Sequence, residues 1–143
     1  MASFLPELFA WMQRRYPGQV APAPCAPPPG PWEREEDLRL AVRRELTRRG
    51  FDVHDLEQGH RPERGGTRVT KGLADLYFRG QGIRGWIETK RWDNVQTPEQ
   101  VTWMLGELET GGTYLLVYEL GQILGWHERR GATLGCNLAR QAG

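Results

Sequence analysis

The sequence predicts an α/β fold, a central mixed β-sheet flanked by helices, with elements in the order α-β-β-β-α-β-β. Three observations carry this. Leu38, Val42 and Leu46 recur every fourth residue, the period of a helix buried on one side. Two short runs, about 72–79 and 84–90, meet at Gly80-Gln81-Gly82 and predict an antiparallel hairpin. A strongly signalled helix from Thr97 separates that hairpin from an apolar run, Thr113 to Leu120.

Residues 4–16 form a short amphipathic pattern. Residues 17–31 hold seven of the ten prolines and predict an extended linker. Residues 1–31 therefore form an N-terminal segment, and residues 32–143 the domain proper. Docking on the domain and service at an interface both stay open for its helix. From Glu33 to Arg49 the pattern is helical. Acids crowd its first turns and Arg48-Arg49 its last, as the helix dipole favours, and Gly50 ends it. Phe51 to Leu56 predicts a first strand. Residues 57–70 are polar and Arg-rich with Gly65-Gly66, which predicts a mobile loop. Thr97-Pro98-Glu99-Gln100 combines an N-cap, proline at the first helical position and a capping-box Gln. Val101, Met104, Leu105 and Leu108 give that helix its buried face, and Gly111-Gly112 stop it. Gln122 to Glu128 is expected as a last strand.

The 143 residues suffice for one domain with a real core, and the net charge is only +1. The charge is uneven: Arg61 to Arg91 holds eight Lys/Arg against three Asp/Glu, a local +5. That is a footprint for a polyanion, set against the plainer reading of a solvated Arg-rich surface. Cys25 and Cys136 give no disulfide framework and no zinc spacing, so a reducing, intracellular setting is the default. No apolar run reaches the roughly 18 residues of a membrane span. No Gly-rich loop ending in Lys-Ser/Thr is present, and His54, His60 and His127 are too scattered for a histidine-based hydrolase site.

Asp75, in Gly72-Leu73-Ala74-Asp75-Leu76, and Glu88, in Ile87-Glu88-Thr89-Lys90, each place a carboxylate among apolar neighbours. Burying an isolated charge costs several kcal/mol. A divalent cation bound by hard oxygens removes that cost. Lys90 lies two residues after Glu88, so strand alternation puts both on one face. Two carboxylates and an ammonium converging on one point suit metal-assisted phosphodiester hydrolysis. The plainer alternative is a surface Glu88–Lys90 ion pair on an edge strand, with Asp75 capping a turn.

These segments, with Gln100 and Trp103 on the following helix and Gly112 before the next strand, resemble the PD-(D/E)XK nuclease superfamily. Within it they resemble the VRR-NUC (virus-type replication-repair nuclease) group, over roughly residues 33–120. The position before the aspartate, usually Pro, is Ala74 here. The resemblance implies a restriction-endonuclease-like core. It implies that Asp75 and Glu88 bind Mg²⁺ or Mn²⁺ with the carbonyl of Thr89, and that Lys90 orients the attacking water. An acid on the first helix adds an outer metal contact in such enzymes. Glu35 shares the inward stripe of Leu38, Val42 and Leu46, while Glu36 fits less well, and both also satisfy the helix dipole. Gln100 has two expected roles, pointing at the site or closing the capping box. Trp103 is either a core aromatic or a stacking surface. Arg68, Lys71 and Arg91 flank the acids and suit phosphate contacts.

The expected function is metal-dependent DNA endonuclease, structure-specific in the manner of Holliday-junction resolvases, acting in replication, repair or recombination on branched or other non-B-form DNA. A restriction-type or nicking nuclease is the alternative enzyme, and a DNA-binding module with a vestigial site the non-enzymatic one. The expected setting is the cytoplasm of a prokaryotic or phage-like system, without a membrane. Resolvase-like enzymes cut two strands as dimers. Trp126 and the 4–16 segment are hard to place within one small core by this reading, which suggests a homodimer through either.

Overall fold

A computed structural model describes residues 6–25, 32, 34–56 and 72–129. The elements are α1 (Pro6–Arg15), α2 (Glu35–Arg48), β1 (Asp52–Asp55), β2 (Leu76–Gly80), β3 (Ile83–Thr89), α3 (Pro98–Glu109), β4 (Thr113–Val117) and α4 (Leu120–Arg129). The protein is α/β, with a four-stranded open mixed sheet in the order β1-β2-β3-β4. The first three strands are antiparallel; β4 joins β3 in parallel after the α3 crossover.

Local chemistry fixes the hairpin. Gln81 and Gly82 both adopt positive φ (+55° and +77°), the two-residue turn whose twist matches the strands it joins. In the β2–β3 register Leu76 lies opposite Ile87 and Tyr77 opposite Trp86. Alternation then sorts the side chains onto two faces. One face packs under α2 and α4, where Leu38, Val42, Leu46, Phe78, Ile87, Leu115, Val117, Ile123 and Trp126 are buried. The other packs under α1 and α3, where Phe9, Met12, Met104, Leu108, Tyr114, Leu116 and Tyr118 are buried.

The last expected strand is a helix instead. Leu120, Ile123 and Trp126 recur at helical spacing, and Ile123 and Trp126 are fully buried on the α2 side. Gly121 and Gly125 weaken helix propensity by about 1 kcal/mol each, which hides the pattern. Burying Trp126 against Phe51 and Phe78, at ring-centroid distances of 6.0 and 5.5 Å, outweighs that penalty.

The N-terminal helix docks on the domain. Phe9 and Met12 are 1% exposed. Residues 16–25 then run as a strap along β4. Gln19 accepts a hydrogen bond from the Tyr114 amide and donates to the carbonyls of Leu108 and Gly112. Buried Gln122 donates to the Pro22 and Leu116 carbonyls. Val20 enters one core and Ala21 the other. Trp126, Phe9 and Met12 are thus used within one chain, whereas Trp11 on α1 stays exposed. Cys25 is disulfide-bonded, where the sequence reading expects no disulfide framework; the spacing of two cysteines carries no pairing signal. Among the described residues no helix is long and apolar enough to cross a membrane.

Candidate metal centre

The site lies at the carboxyl end of the parallel pair β3/β4, where α2 and α3 both begin, the crevice in which open α/β sheets bind ligands. Gly72 sets one wall. It has φ +84°, and a Cβ there would sit 2.3 Å from the carbonyl oxygen of Glu99. Only glycine lets this chain pass against the first turn of α3. Three residues on, Asp75 is clamped by its backbone: its amide donates to Ile87 and its carbonyl accepts from Leu56. The ladder position after Leu76–Ile87 puts Asp75 beside Glu88.

Glu88, on the inner strand β3, is 1% exposed, and Lys90, just past the end of β3, is 5% exposed. The surface ion-pair alternative is therefore overturned. Lys90 Nζ lies 3.5 Å from Glu88 Oε2. Gln100 Nε2 donates to the same oxygen at 3.0 Å. Glu88 Oε1 is buried without a partner. Burial first, and then the neighbouring Asp75 charge, push the Glu88 carboxyl up to about 8; Lys90 opposes the shift, and Glu35 adds to it.

Both roles expected of Gln100 hold at once, through opposite ends of one amide. Its Oε1 accepts from the Thr97 amide at 2.8 Å, and its backbone amide donates to Thr97 Oγ1 at 3.1 Å, which closes the capping box. Its Nε2 remains for Glu88, so no switch is needed. Glu35 rather than Glu36 faces the site. Its Oε2 accepts from Asn94 Nδ2 at 2.8 Å and from the Arg91 amide at 3.3 Å, which ties α2 to the loop after Lys90.

Thr89 has a role the sequence did not suggest. Its amide and hydroxyl donate to Asp75 Oδ2 at 2.9 and 2.8 Å, so it orients one carboxylate for the other. Arg91 turns its guanidinium to Asp93 at 2.6 Å. Trp103 is half-buried against Trp86, at a centroid distance of 4.8 Å. Arg68, Lys71 and the expected loop at 57–70 lie outside the described residues. Sequence reasoning missed Asn94, Tyr114 and Tyr118. The Tyr118 hydroxyl donates to the Asn94 carbonyl at 2.9 Å. Burial raises both phenols above their ordinary value, and the Glu88 charge adds to it. The two-residue period of Tyr114, Leu116 and Tyr118 puts them on one side of the chain, and the parallel register of Glu88 with Leu116 makes it the Glu88 side.

Asp75 and Glu88 offer hard oxygens, and the unpartnered Glu88 Oε1 stands beside a second carboxylate with Lys90 on the other oxygen. That chemistry fits a Mg²⁺ or Mn²⁺ ion. Among the described residues no group of three or more His, Cys, Asp or Glu is gathered as a metal cage. No known family, curated protein or solved structure matches the chain.

Proposed function

We propose that the chain is a divalent-metal-dependent nuclease that hydrolyses DNA phosphodiesters. The observation that carries this reading is Glu88: a carboxylate 1% exposed, with one oxygen orphaned, set beside Asp75 and flanked by Lys90. A buried carboxylate beside a second, half-buried one is costly without a cation, and the rest of the fold gains nothing from it. The resemblance of these motifs to VRR-NUC nucleases favours a structure-specific enzyme of replication, repair or recombination inside the cell.

Asp75, Glu88 and the Thr89 carbonyl would hold Mg²⁺ or Mn²⁺, which supplies Lewis acidity toward a phosphoryl oxygen and a nucleophilic water near neutral pH. The chain's own residues do the positioning. Thr89 fixes Asp75, and Gln100 fixes Glu88 from the start of α3. Lys90, beside Glu88, provides the fixed positive charge for the oxyanion that develops at phosphorus. The low exposure of Glu88 and Lys90 strengthens each of these interactions over its value in water.

The test is cleavage of a substrate panel of single strand, duplex, flap and four-way junction, with Mg²⁺, Mn²⁺ or EDTA. Metal-dependent cutting that Glu88→Ala abolishes supports the reading, and the preferred substrate separates a junction enzyme from a restriction or nicking one. Binding without cutting on every substrate identifies a DNA-binding module instead.

A further inference from the structure

The face of the β2–β3 hairpin that carries Glu88 continues away from the site, and among the described residues no helix packs on much of it. Tyr77 lies opposite Trp86, and Arg79 opposite Arg84. In β3, Arg84, Trp86 and Glu88 alternate onto one face, so each step of two residues moves about 7 Å along it. Among the described residues the α3-side core takes none from β1 or β2. Arg79, Arg84 and His54 are accordingly exposed, and Tyr77 and Trp86 half-buried.

Two features mark this face, and the second also packs Trp86 and Trp103 against the α3-side core. Like charges placed directly opposite on antiparallel strands destabilise a sheet, yet Arg79 and Arg84 are such a pair. Asp52, 3.5 Å from Arg79, offsets one of the two charges. Arg84 has no ion-pair partner among the described residues, and both arginines line an open cavity of about 550 Å³. Next along the face stands an aromatic ladder. The Tyr77 and Trp86 rings are 4.9 Å apart, and Trp86 meets Trp103 at 4.8 Å. His54 flanks Tyr77 at 6.2 Å. The indole N–H of Trp86 donates to Glu107 at 2.8 Å, which pins its ring.

We infer that this face is a platform for single-stranded nucleic acid, with bases stacking on Tyr77 and Trp86 and a phosphate held by Arg79 and Arg84. Each of its steps is within the reach of one extended nucleotide. A rigid duplex keeps its bases paired and offers no ring to an aromatic pair. An unpaired strand offers a ring at every step, and stacking on it is tolerant of sequence. On the nuclease reading above, on which only the following clause rests, the same strand continues to Glu88, so the substrate is a single strand or the unpaired arm of a branched molecule.

The probe is a labelled oligodeoxythymidine, compared with a blunt duplex and with polyglutamate of equal charge, all in EDTA with the full-length protein. The single strand is expected to bind at least tenfold more tightly than the duplex and to quench tryptophan fluorescence; polyglutamate should do neither. Arg79→Ala/Arg84→Ala should weaken single-strand binding about tenfold and flatten the log–log salt slope by about 0.7, the share of one phosphate. Tyr77→Leu should weaken it about tenfold. The arginines are exposed, so their double variant tests the platform even if Tyr77→Leu perturbs folding. Equal affinity for strand and duplex, no binding of either, or affinity unchanged in the arginine variant would overturn the platform. Cleavage with Mg²⁺ is scored separately. Cutting that ignores these variants removes the platform and leaves the nuclease; platform-dependent binding with no cutting of any substrate removes the nuclease and leaves the platform.

Discussion

Replacing Glu88 with Gln should make the metal-free protein more stable at alkaline pH and change little at acid pH. In the unfolded chain this carboxyl titrates near its ordinary 4.5, and in the fold at about 8. Below 4.5 both states are protonated and the group contributes nothing to the difference. Between 4.5 and 8 the unfolded chain has released the proton while the fold retains it. The folded state then binds more protons, so stability falls as pH rises through this window, and the full penalty stands above pH 8. At about 1.4 kcal/mol per pH unit the ceiling is about 5 kcal/mol. Relaxation and water penetration reduce it, and a gain of about 2–3 kcal/mol at pH 8.5 is expected for Glu88→Gln. The amide keeps the shape of the protonated acid and can still accept from Gln100.

Urea denaturation in EDTA at pH 5, 7 and 8.5 measures this. The wild-type midpoint should fall across the series while that of Glu88→Gln stays nearly level. Adding Mg²⁺ should then restore the wild type at pH 8.5, by about 2.7 kcal/mol at a hundredfold excess over Kd, and leave the variant unmoved. Parallel pH curves for the two proteins would refute the argument, because Glu88 would then be hydrated or paired in the fold and the case for a cation would lose its main support.

Lys90→Met keeps the buried stem but loses the charge; cleavage in the substrate panel should fall at least about 100-fold while circular dichroism stays unchanged. Gln100→Ala breaks the capping box and releases Glu88, so stability should drop by about 1 kcal/mol in urea and cleavage about tenfold. Gly72→Ala forces a Cβ to within 2.3 Å of the Glu99 carbonyl at a φ of +84°, and should lower stability by at least about 2 kcal/mol. Trp126→Ala should cost about 3–5 kcal/mol in the same assay, with light scattering before the transition unchanged, because the ring is buried within one chain.

What was legible in the sequence was what neighbouring residues decide among themselves. The Gly80–Gly82 turn, the Thr97 cap and the α2 stripe are set by contacts a few residues apart, and all three appear where expected. The convergence of Glu88 and Lys90 was legible too, because alternation along one strand is a local property. What failed was decided across the fold. The α4 segment reads as a strand until Trp126 meets Phe51 and Phe78. The proline-rich stretch reads as a linker until the Gln19 carbonyl accepts from Tyr114 in β4, the Gln19 side chain donates to Leu108 and Gly112, and Gln122 donates to the Pro22 carbonyl. Tyr114 and Tyr118 join the site through the parallel register of β3 with β4, which no spacing within either strand contains.

The distribution of satisfied and unsatisfied groups argues in the same direction as the chemistry. Around the site the other acids and Gln100 are held: Asp75 by Thr89, Gln100 by Thr97, Glu35 by Asn94, while the buried Tyr114 hydroxyl is unpartnered like Glu88 Oε1. The first turns of α2 and α3 both end here, and their dipoles favour negative charge. Against that background Glu88 keeps an orphaned oxygen and a like-charged neighbour in a place water hardly reaches. Stability alone would favour a neutral side chain at that rung. Asp55 also keeps a buried unpartnered oxygen, but beside Arg39; at Glu88 the unpartnered oxygen coincides with a second carboxylate at the carboxyl end of the parallel strands, where a ligand would relieve the conflict. A cation relieves it and a phosphate then completes the charge balance, so in metal-free protein phosphate alone should bind this site poorly and Mg²⁺ should strengthen that binding. Competition of inorganic phosphate with labelled oligonucleotide, with and without Mg²⁺, measures that order, and equal competition in both conditions would leave the conflict at Glu88 without a ligand to explain it.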